Sequence, residues 1–471
     1  MESERLRPNF FLYWSVLAVN FLSINTASMF SWASPSLGKL MSNDTDINPL
    51  GRPITSFEES IIASICILGA VIGTTVSAMI AEKLGRKRTL IIFSTPFFFC
   101  YLIIANASAV SVFYVTRLIL GFASGSVLSL LPSYVGEISE NSNRGTLGSV
   151  FGIMNSLGHF LVFAVGPLVS IKTFAYMLMV PVSLFFVTFI PFIPESPYYF
   201  LSKNNIKEAE DSLKKIRCNG NVEKEFLGLQ DIVKEAKDNK VTLKDLFSSA
   251  ATKKGLLVCC GLLFFQQSLG IGVILTYLQP ILEASGNAVP SNVASLLIGI
   301  IQVISCTAAS FVVDSLGRKI LLHVSSVGCS ISLFALGTYF ILNENNYNLE
   351  SVFWLPLASL IIYYTCFNFG YATIPWSLCG ELFSINVKSL CASIASSVCL
   401  IVSFLVTLLF PLLRDAFGMG GVFCVFGALG VLASIFVILL VPETKGKSFQ
   451  EIQNELSGKQ KNNSKDAYDC S

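Results

Sequence analysis

A short turn occurs twice in this chain, and its return limits what the chain can fold into. Residues 81–87 read Ala-Glu-Lys-Leu-Gly-Arg-Lys and residues 313–319 read Val-Asp-Ser-Leu-Gly-Arg-Lys. Each copy is basic, carries an acidic residue just before its Leu-Gly step, and lies between two long apolar runs. Two further pairs keep the same order. Gly136-Glu137 followed by Arg144 returns as Gly380-Glu381 followed by Lys388. Pro194-Glu195-Ser196-Pro197 returns as Pro442-Glu443-Thr444-Lys445. All three pairs are separated by about half the chain, which points to two homologous halves.

The apolar runs place those halves in a bilayer. Of 471 residues, 53% are hydrophobic and 13% charged, against about 25% charged in a soluble domain. The net charge of +2 gives no reason to expect a nucleic-acid partner. The cysteines fall mostly in apolar runs, as at Cys66, Cys100, Cys259, Cys260 and Cys306, so small buried side chains are expected rather than a disulfide framework. The first apolar run is long enough to span and lacks a cleavage site, so no cleaved signal peptide is expected.

A spanning helix needs about 20 apolar residues. Twelve runs qualify: residues 10–32, 60–80, 89–107, 110–132, 147–169, 174–193, 255–282, 293–313, 320–342, 353–378, 389–413 and 422–441. The expected fold is therefore an all-α membrane protein with twelve transmembrane helices in two homologous six-helix bundles. The domains are 1–194, the first bundle; 195–254, a polar insert with helical spacing at 206–216 and 223–237; 255–441, the second bundle; and 442–471, a polar tail expected to be disordered past Leu456.

Orientation follows from the bases in short loops. Lys83, Arg86, Lys87, Arg88, Arg144, Arg318, Lys319 and Lys388 share one side with the insert and tail. That side is read as cytoplasmic, with both termini there. The loop after the first span carries the sequon Asn43-Asp44-Thr45, read as a glycosylation site on the outer side. A second sequon at Asn106 lies too close to the bilayer to be expected as a site. With an even number of spans per half, the halves relate by an axis along the membrane normal.

Charges near a bilayer are costly unless paired. Snorkelling and topology account for Lys83, Arg88 and Lys319. They do not account for acidic residues at matched positions on the same side. Arg86, Glu137, Arg144 and Glu195 in the first half, and Asp314, Arg318, Glu381, Lys388 and Glu443 in the second, are read as two ion-pair clusters that latch the inner mouth.

These marks together resemble the sugar porter family of the major facilitator superfamily. The resemblance is carried by Leu84-Gly85-Arg86-Lys87, Arg117 with Gly121, Glu137 with Arg144-Gly145, and Pro194-Glu195-Ser196-Pro197. In the second half it is carried by Gln266-Gln267 with Gly270, Asp314 with Gly317-Arg318-Lys319, Pro375-Trp376 with Glu381, and Pro442-Glu443-Thr444-Lys445-Gly446. Trp32-Ala33-Ser34-Pro35 and the small outer loops look most like insect facilitated trehalose or glucose transporter-like proteins. The resemblance implies the major facilitator fold, with the insert as a cytoplasmic helical domain. It also implies alternating access, in which two bundles rock about a central site and the inner clusters hold one mouth shut.

Adjacent amides in an apolar helix cost free energy unless they meet polar partners. Interhelical bonding could supply those for Gln266 and Gln267. With the family resemblance, recognition of sugar hydroxyls is the favoured reading, since an amide both donates and accepts. Trp376 offers a flat apolar face beside Pro375, which should kink its helix. The chain departs from the family at several positions. Gly272 stands where an asparagine is usual, and Thr276-Tyr277 where paired aromatics are common. Gly152 replaces a glutamine, Gln302 an asparagine, and Cys399-Leu400 an Asn-Trp pair. The resulting site, Gln266, Gln267, Gly272, Tyr277, Gln302 and Trp376, is expected to be roomier and less polar.

Arg117 lies inside the fourth span, and the first span offers Asn20 and Asn25 but no acid to face it. Proton symport by that route lacks its carboxylate. His159 is the other titratable group near mid-depth, more simply read as a helix–helix hydrogen bond. The expected function is facilitative uniport of a sugar, such as trehalose or a hexose, across the plasma membrane. A polyol or other organic solute is the alternative cargo. A non-transporting nutrient sensor is the alternative class, disfavoured by the short tail. No enzyme activity, metal or cofactor is expected, and the partners are the solute and the bilayer.

Overall fold

The computed structural model describes residues 10–140, 143–218, 222–238, 250–286, 289–383, 385–447 and 449–456. The stretch after Leu456 therefore lies outside the described residues, as do the side chains of Asp314 and Lys388.

Long apolar sequence becomes long helix. Among the described residues, eleven helical runs are long and apolar enough to cross a bilayer. The last of them, Leu390–Leu440, contains 51 residues. As one helix it would be about 75 Å long at 1.5 Å per residue, more than twice a hydrocarbon core of about 30 Å. It breaks at Gly418, where φ is 73°, and the Glu344 carboxylate accepts from the Met419 N–H at 2.9 Å. The run is thus two spans, making twelve.

The spans are, in order, Phe10–Ser31 continued by Ala33–Leu40, Ser56–Leu84, Arg86–Ile104, Val110–Ile138, Arg144–Val165 and Ile171–Phe189. The second half begins with Ala250–Ser268 continued by Ile271–Ala284, then Ser291–Leu316 and Arg318–Glu344. Leu355–Phe369 continued by Ile374–Glu381 is the tenth span, and Ile385–Leu440 holds the last two. Several helices outrun their apolar cores. The second starts at Ser56 because Thr55 and Glu58 form a reciprocal cap: Thr55 Oγ1 accepts from the Glu58 N–H at 3.2 Å, and Glu58 Oε2 accepts from the Thr55 N–H at 2.9 Å. Residues 33–40, expected in part as loop, are helical because they pack against the seventh span.

The outward faces fit a lipid solvent. Phe311 is 79% exposed and Leu439 73%, an arrangement that a bilayer tolerates and water does not. Between helices, small residues permit close approach. A β-carbon added at Gly121 would lie 1.9 Å from the Cys66 carbonyl oxygen, and one at Gly125 2.1 Å from that of Ala70. Spans two and four are therefore in backbone contact, the packing mode that membranes favour.

The insert forms Pro197–Ser202, Ile206–Ile216 and Glu223–Asp238. Its helices share a small core of Leu201, Ala209, Leu213, Val222, Phe226 and Leu229. Arg217 ties it to the fourth span, donating to the Ile138 carbonyl at 2.9 Å and pairing with Glu225 at 2.6 Å. Across the halves, span five packs on span eight and span two on Ile385–Leu440.

The two–four contact gives a direct test. Gly121→Ala should force the helices apart at a cost of about 1–3 kcal/mol and lower the melting temperature in detergent. Gly148→Ala, which meets nothing within 4 Å, should leave it unchanged. Equal melting of the two variants would refute the close packing.

Candidate functional site

The matched turns are built alike. Gly85 has φ 98° and Gly317 φ 93°, conformations that side-chain-bearing residues rarely adopt. In each turn the next helix begins immediately, at Arg86 and Arg318, leaving its first N–H groups unpartnered. The acid that closes each half supplies the missing acceptor. Glu195 accepts from the N–H of Lys87 at 2.8 and 3.0 Å. Glu443 accepts from the N–H groups of Arg318 and Lys319, both at 3.1 Å. Glycine is needed for this approach too: a β-carbon at Gly85 would lie 2.3 Å from Glu195 Oε2, and one at Gly317 2.9 Å from Glu443 Oε2. Burial pushes the Glu443 carboxyl up, but the N–H groups of Lys445, Arg318, Lys319 and Thr444 outweigh it and hold its pKa below the ordinary value. A depressed carboxyl favours the folded state at neutral pH, and the contribution fades as pH falls through that depressed value.

Around each cap lies an ion pair. Arg86 Nε meets Glu137 at 3.0 Å, and Arg318 Nη2 meets Glu381 at 3.4 Å. Ser196 Oγ donates to Glu137, and Thr444 Oγ1 donates to Glu381 at 2.6 Å. Lys87 and Lys319 each reach a carbonyl on the last span of their half, Ile190 and Ile438, at 2.8 Å. Both pairs join spans within one half. Arg144 is exposed and donates to the Gly136 carbonyl at 3.1 and 2.7 Å. The expected roles of Asp314 and Lys388 rest on side chains outside the described residues.

The glutamine pair sits at a break in the seventh span. Ala250–Ser268 ends directly after it, and Ile271–Ala284 restarts behind Gly270 in the left-handed region. The tenth span breaks likewise between Phe369 and Ile374, where Pro375 opens the second segment rather than kinking a continuous helix. The two breaks satisfy one another. Gln266 Nε2 donates to the Tyr371 carbonyl in the tenth-span break. Tyr363 OH donates to the Leu269 carbonyl in the seventh-span break at 3.0 Å. Irregular backbone at membrane depth requires such partners.

The two glutamines consequently differ. Gln266 is buried and also receives the Cys399 thiol at 3.6 Å. Gln267 is half-buried; its amide donates to Cys399 Sγ at 3.3 Å, and its Oε1 lies 3.7 Å from where a Gly272 β-carbon would stand. Ser403 Oγ and Thr407 Oγ1 are each 3.2 Å from that same point. Tyr277 is buried, packed 4.8 Å from the Phe410 ring. Gln302 is buried, and among the described residues its Oε1 has no hydrogen-bond partner. Asn368 donates to Ser305 Oγ at 2.7 Å beside it. Trp376 is 45% exposed on the second segment of span ten. The structure thus gathers Gln266, Gln267 and Gly272 with Cys399, Ser403 and Thr407. Sequence reading missed Asn368, Ser403 and Thr407; a lone amide beside Gly370 was the one available sign.

In the first half, Arg117 is fully buried. It donates to the carbonyls of Met29 and Ile62 and to Cys66 Sγ, with its guanidinium 5.3 Å from the Trp32 ring. Among the described residues it forms no ion pair. His159 Nδ1 is hydrogen-bonded to Ser31 Oγ, joining spans five and one.

Comparison with known proteins agrees with this architecture. The family model described as sugar (and other) transporter matches residues 11–456. A facilitated trehalose transporter from Bombyx mori is 34% identical over 453 residues, covering 95% of this chain and 88% of that protein. The protein of the same description from Apis mellifera ligustica is 33% identical, covering 94% and 88%. Among solved structures, a partially occluded inward-open form of the Escherichia coli xylose transporter XylE superposes with a TM-score of 0.77. It is 22% identical, covering 93% of this chain and all of that one.

The unequal engagement of the glutamines separates their substitutions. Gln267→Ala should leave melting unchanged and weaken sugar binding roughly tenfold, taking 1.4 kcal/mol per decade. Gln266→Ala strands the Tyr371 carbonyl at about 1–3 kcal/mol and should lower the melting temperature as well. Competition by glucose and trehalose, run beside thermal melts, would show this. Native-like binding by Gln267→Ala would make both glutamines helix–helix contacts only.

Proposed function

The chain belongs to the sugar (and other) transporter family, a family of carriers rather than enzymes, and from that premise we propose that it is a facilitative uniporter of a sugar. The sugar is trehalose or a hexose, crossing the plasma membrane by alternating access, with both termini and the insert in the cytoplasm. Asn43 is exposed in the loop opposite the basic turns, which fits its use as a glycosylation site. Gln267, Gly272, Gln302 and Trp376 contact the solute; Gln266 and Tyr277 fix the backbone around them. The clusters at Arg86–Glu137 and Arg318–Glu381, each confined to one half here, latch the cytoplasmic mouth when the two halves close on that side.

The observation that carries uniport is Arg117. It is satisfied by two carbonyls, a thiol and an indole face. No carboxylate on span one faces it to bind and release a proton. With Gly272 and Cys399 where the family carries amides, the site offers fewer polar contacts per ring; it is not roomier at Gly272, because Ser403 Oγ and Thr407 Oγ1 stand 3.2 Å from where a β-carbon would be. A polyol or other organic solute is the second reading; among such solutes the loss of amides favours one with fewer hydroxyls.

Purified protein in liposomes with an inside-alkaline gradient should bring trehalose or glucose only to the outside concentration. Accumulation above it would overturn uniport and bring His159 forward as the candidate coupling group.

A further inference from the structure

The ion pairs of the basic face stay within a half, but another does not. Glu59 lies in the first turn of span two, at the end farthest from the Gly85 turn. Arg414 lies in Ile385–Leu440 just before the Gly418 break. The two meet across the halves in a bidentate pair, Nη1 to Oε1 at 3.2 Å and Nη2 to Oε2 at 3.1 Å. The Glu59 side chain is 3% exposed and that of Arg414 22%. Arg414 Nε also reaches its neighbour Asp415 at 3.2 Å, a contact confined to one element. Other polar links join the halves at this same face. The Gln279 N–H donates to Ser34 Oγ at 3.0 Å, and Ser295 Oγ donates to the Phe163 carbonyl at 3.3 Å.

We propose that Glu59 and Arg414 are positioning residues for transport: their ion pair holds shut the mouth opposite the basic turns, and each cycle must break it. The proposal rests on the alternating-access reading. Two halves that rock apart at this face cannot keep a bidentate contact between the outer ends of spans two and eleven. In the closed state the Glu59 carboxylate is withdrawn from water and tolerable only while Arg414 is present, whereas Arg414 is partly exposed and keeps Asp415. Removing Arg414 leaves Glu59 buried without its partner until the mouth opens and rehydrates it, and removing Glu59 takes away the attraction that favours the closed form. The two-state balance therefore moves toward the open form. The pair acts through the conformation and touches no solute.

A thiol placed behind the gate reads that balance. Ser34 is 1% exposed, and its Oγ accepts from the Gln279 N–H across the halves at 3.0 Å. Ser34→Cys in a background carrying Cys218→Ser and Cys470→Ser, purified in detergent, would be labelled with a maleimide that reports opening of this mouth. Glu59→Gln or Arg414→Gln should raise the labelling rate roughly fivefold or more, the lower end of typical coupling between two states. The exchanged pair, Glu59→Arg with Arg414→Glu, should bring it back toward the starting rate. Asp415→Asn should change nothing. Unaltered labelling in the single variants, with monodisperse protein, would overturn the proposal, as would an exchanged pair that labels as fast as the singles. Sugar uptake measured on the same variants keeps the two readings apart. Faster labelling in a protein that moves no sugar would sustain the gate and refute the cargo.

Discussion

Each half of the molecule depends on a carboxylate that caps a helix from far along the chain. Glu195 closes the first half and caps the helix that starts at Arg86; Glu443 closes the second and caps the one that starts at Arg318. A helix N-terminus presents unpaired N–H groups and a partial positive charge, so an anion there is favoured twice. The cap also fixes topology, because it pins the last span of each half to the third. Lys87 and Lys319 reinforce the join by reaching carbonyls on those same last spans. Arginine and the span-four or span-ten acid then surround the cap. Repetition of this whole arrangement, down to Ser196 matched by Thr444, is the physical content of the duplication.

The second organising feature is the pair of broken helices in the second half. A break inside a membrane frees carbonyls and N–H groups that lipid cannot satisfy. Spans seven and ten resolve this by trading partners, Gln266 to Tyr371 and Tyr363 to Leu269. The trade leaves Gln267 half-buried, with its Oε1 beside Gly272, Ser403 and Thr407. Polar groups that a solute can reach are therefore those left over after the backbone is satisfied. The first half keeps its fourth span continuous, so two homologous bundles differ where the second has its helix breaks.

Much of the fold was legible because a bilayer demands long apolar runs, and because the second half repeats the marks of the first. The twelve spans, the insert and the glutamine pair follow from that. The breaks were not legible. Pro375 read as a kink, and nothing in the run 255–282 distinguishes Gly270 from a tolerated helical glycine. Glu195 and Glu443 were recognised as matched but assigned to ion pairs; their partners are backbone N–H groups, which sequence cannot show. Glu58 and Glu59 are adjacent acids, and Arg414 is one base in a loop; nothing in the sequence sets any of them apart. Only the approach of the two halves reveals that one of those acids caps its own helix and the other crosses to Arg414.

Whether backbone capping or charge pairing carries the basic turns can be decided by melting four purified variants in detergent. Losing a cap costs about 0.5–2 kcal/mol, whereas partly exposed ion pairs are worth about 0–1 kcal/mol. Glu195→Ala and Glu443→Ala should each lower the melting temperature more than Arg86→Ala and Arg318→Ala. The two glutamate losses, lying in separate halves, should add in the double variant. Larger losses for the arginine variants than for the glutamate variants would contradict the account and place the stability of both turns in their ion pairs.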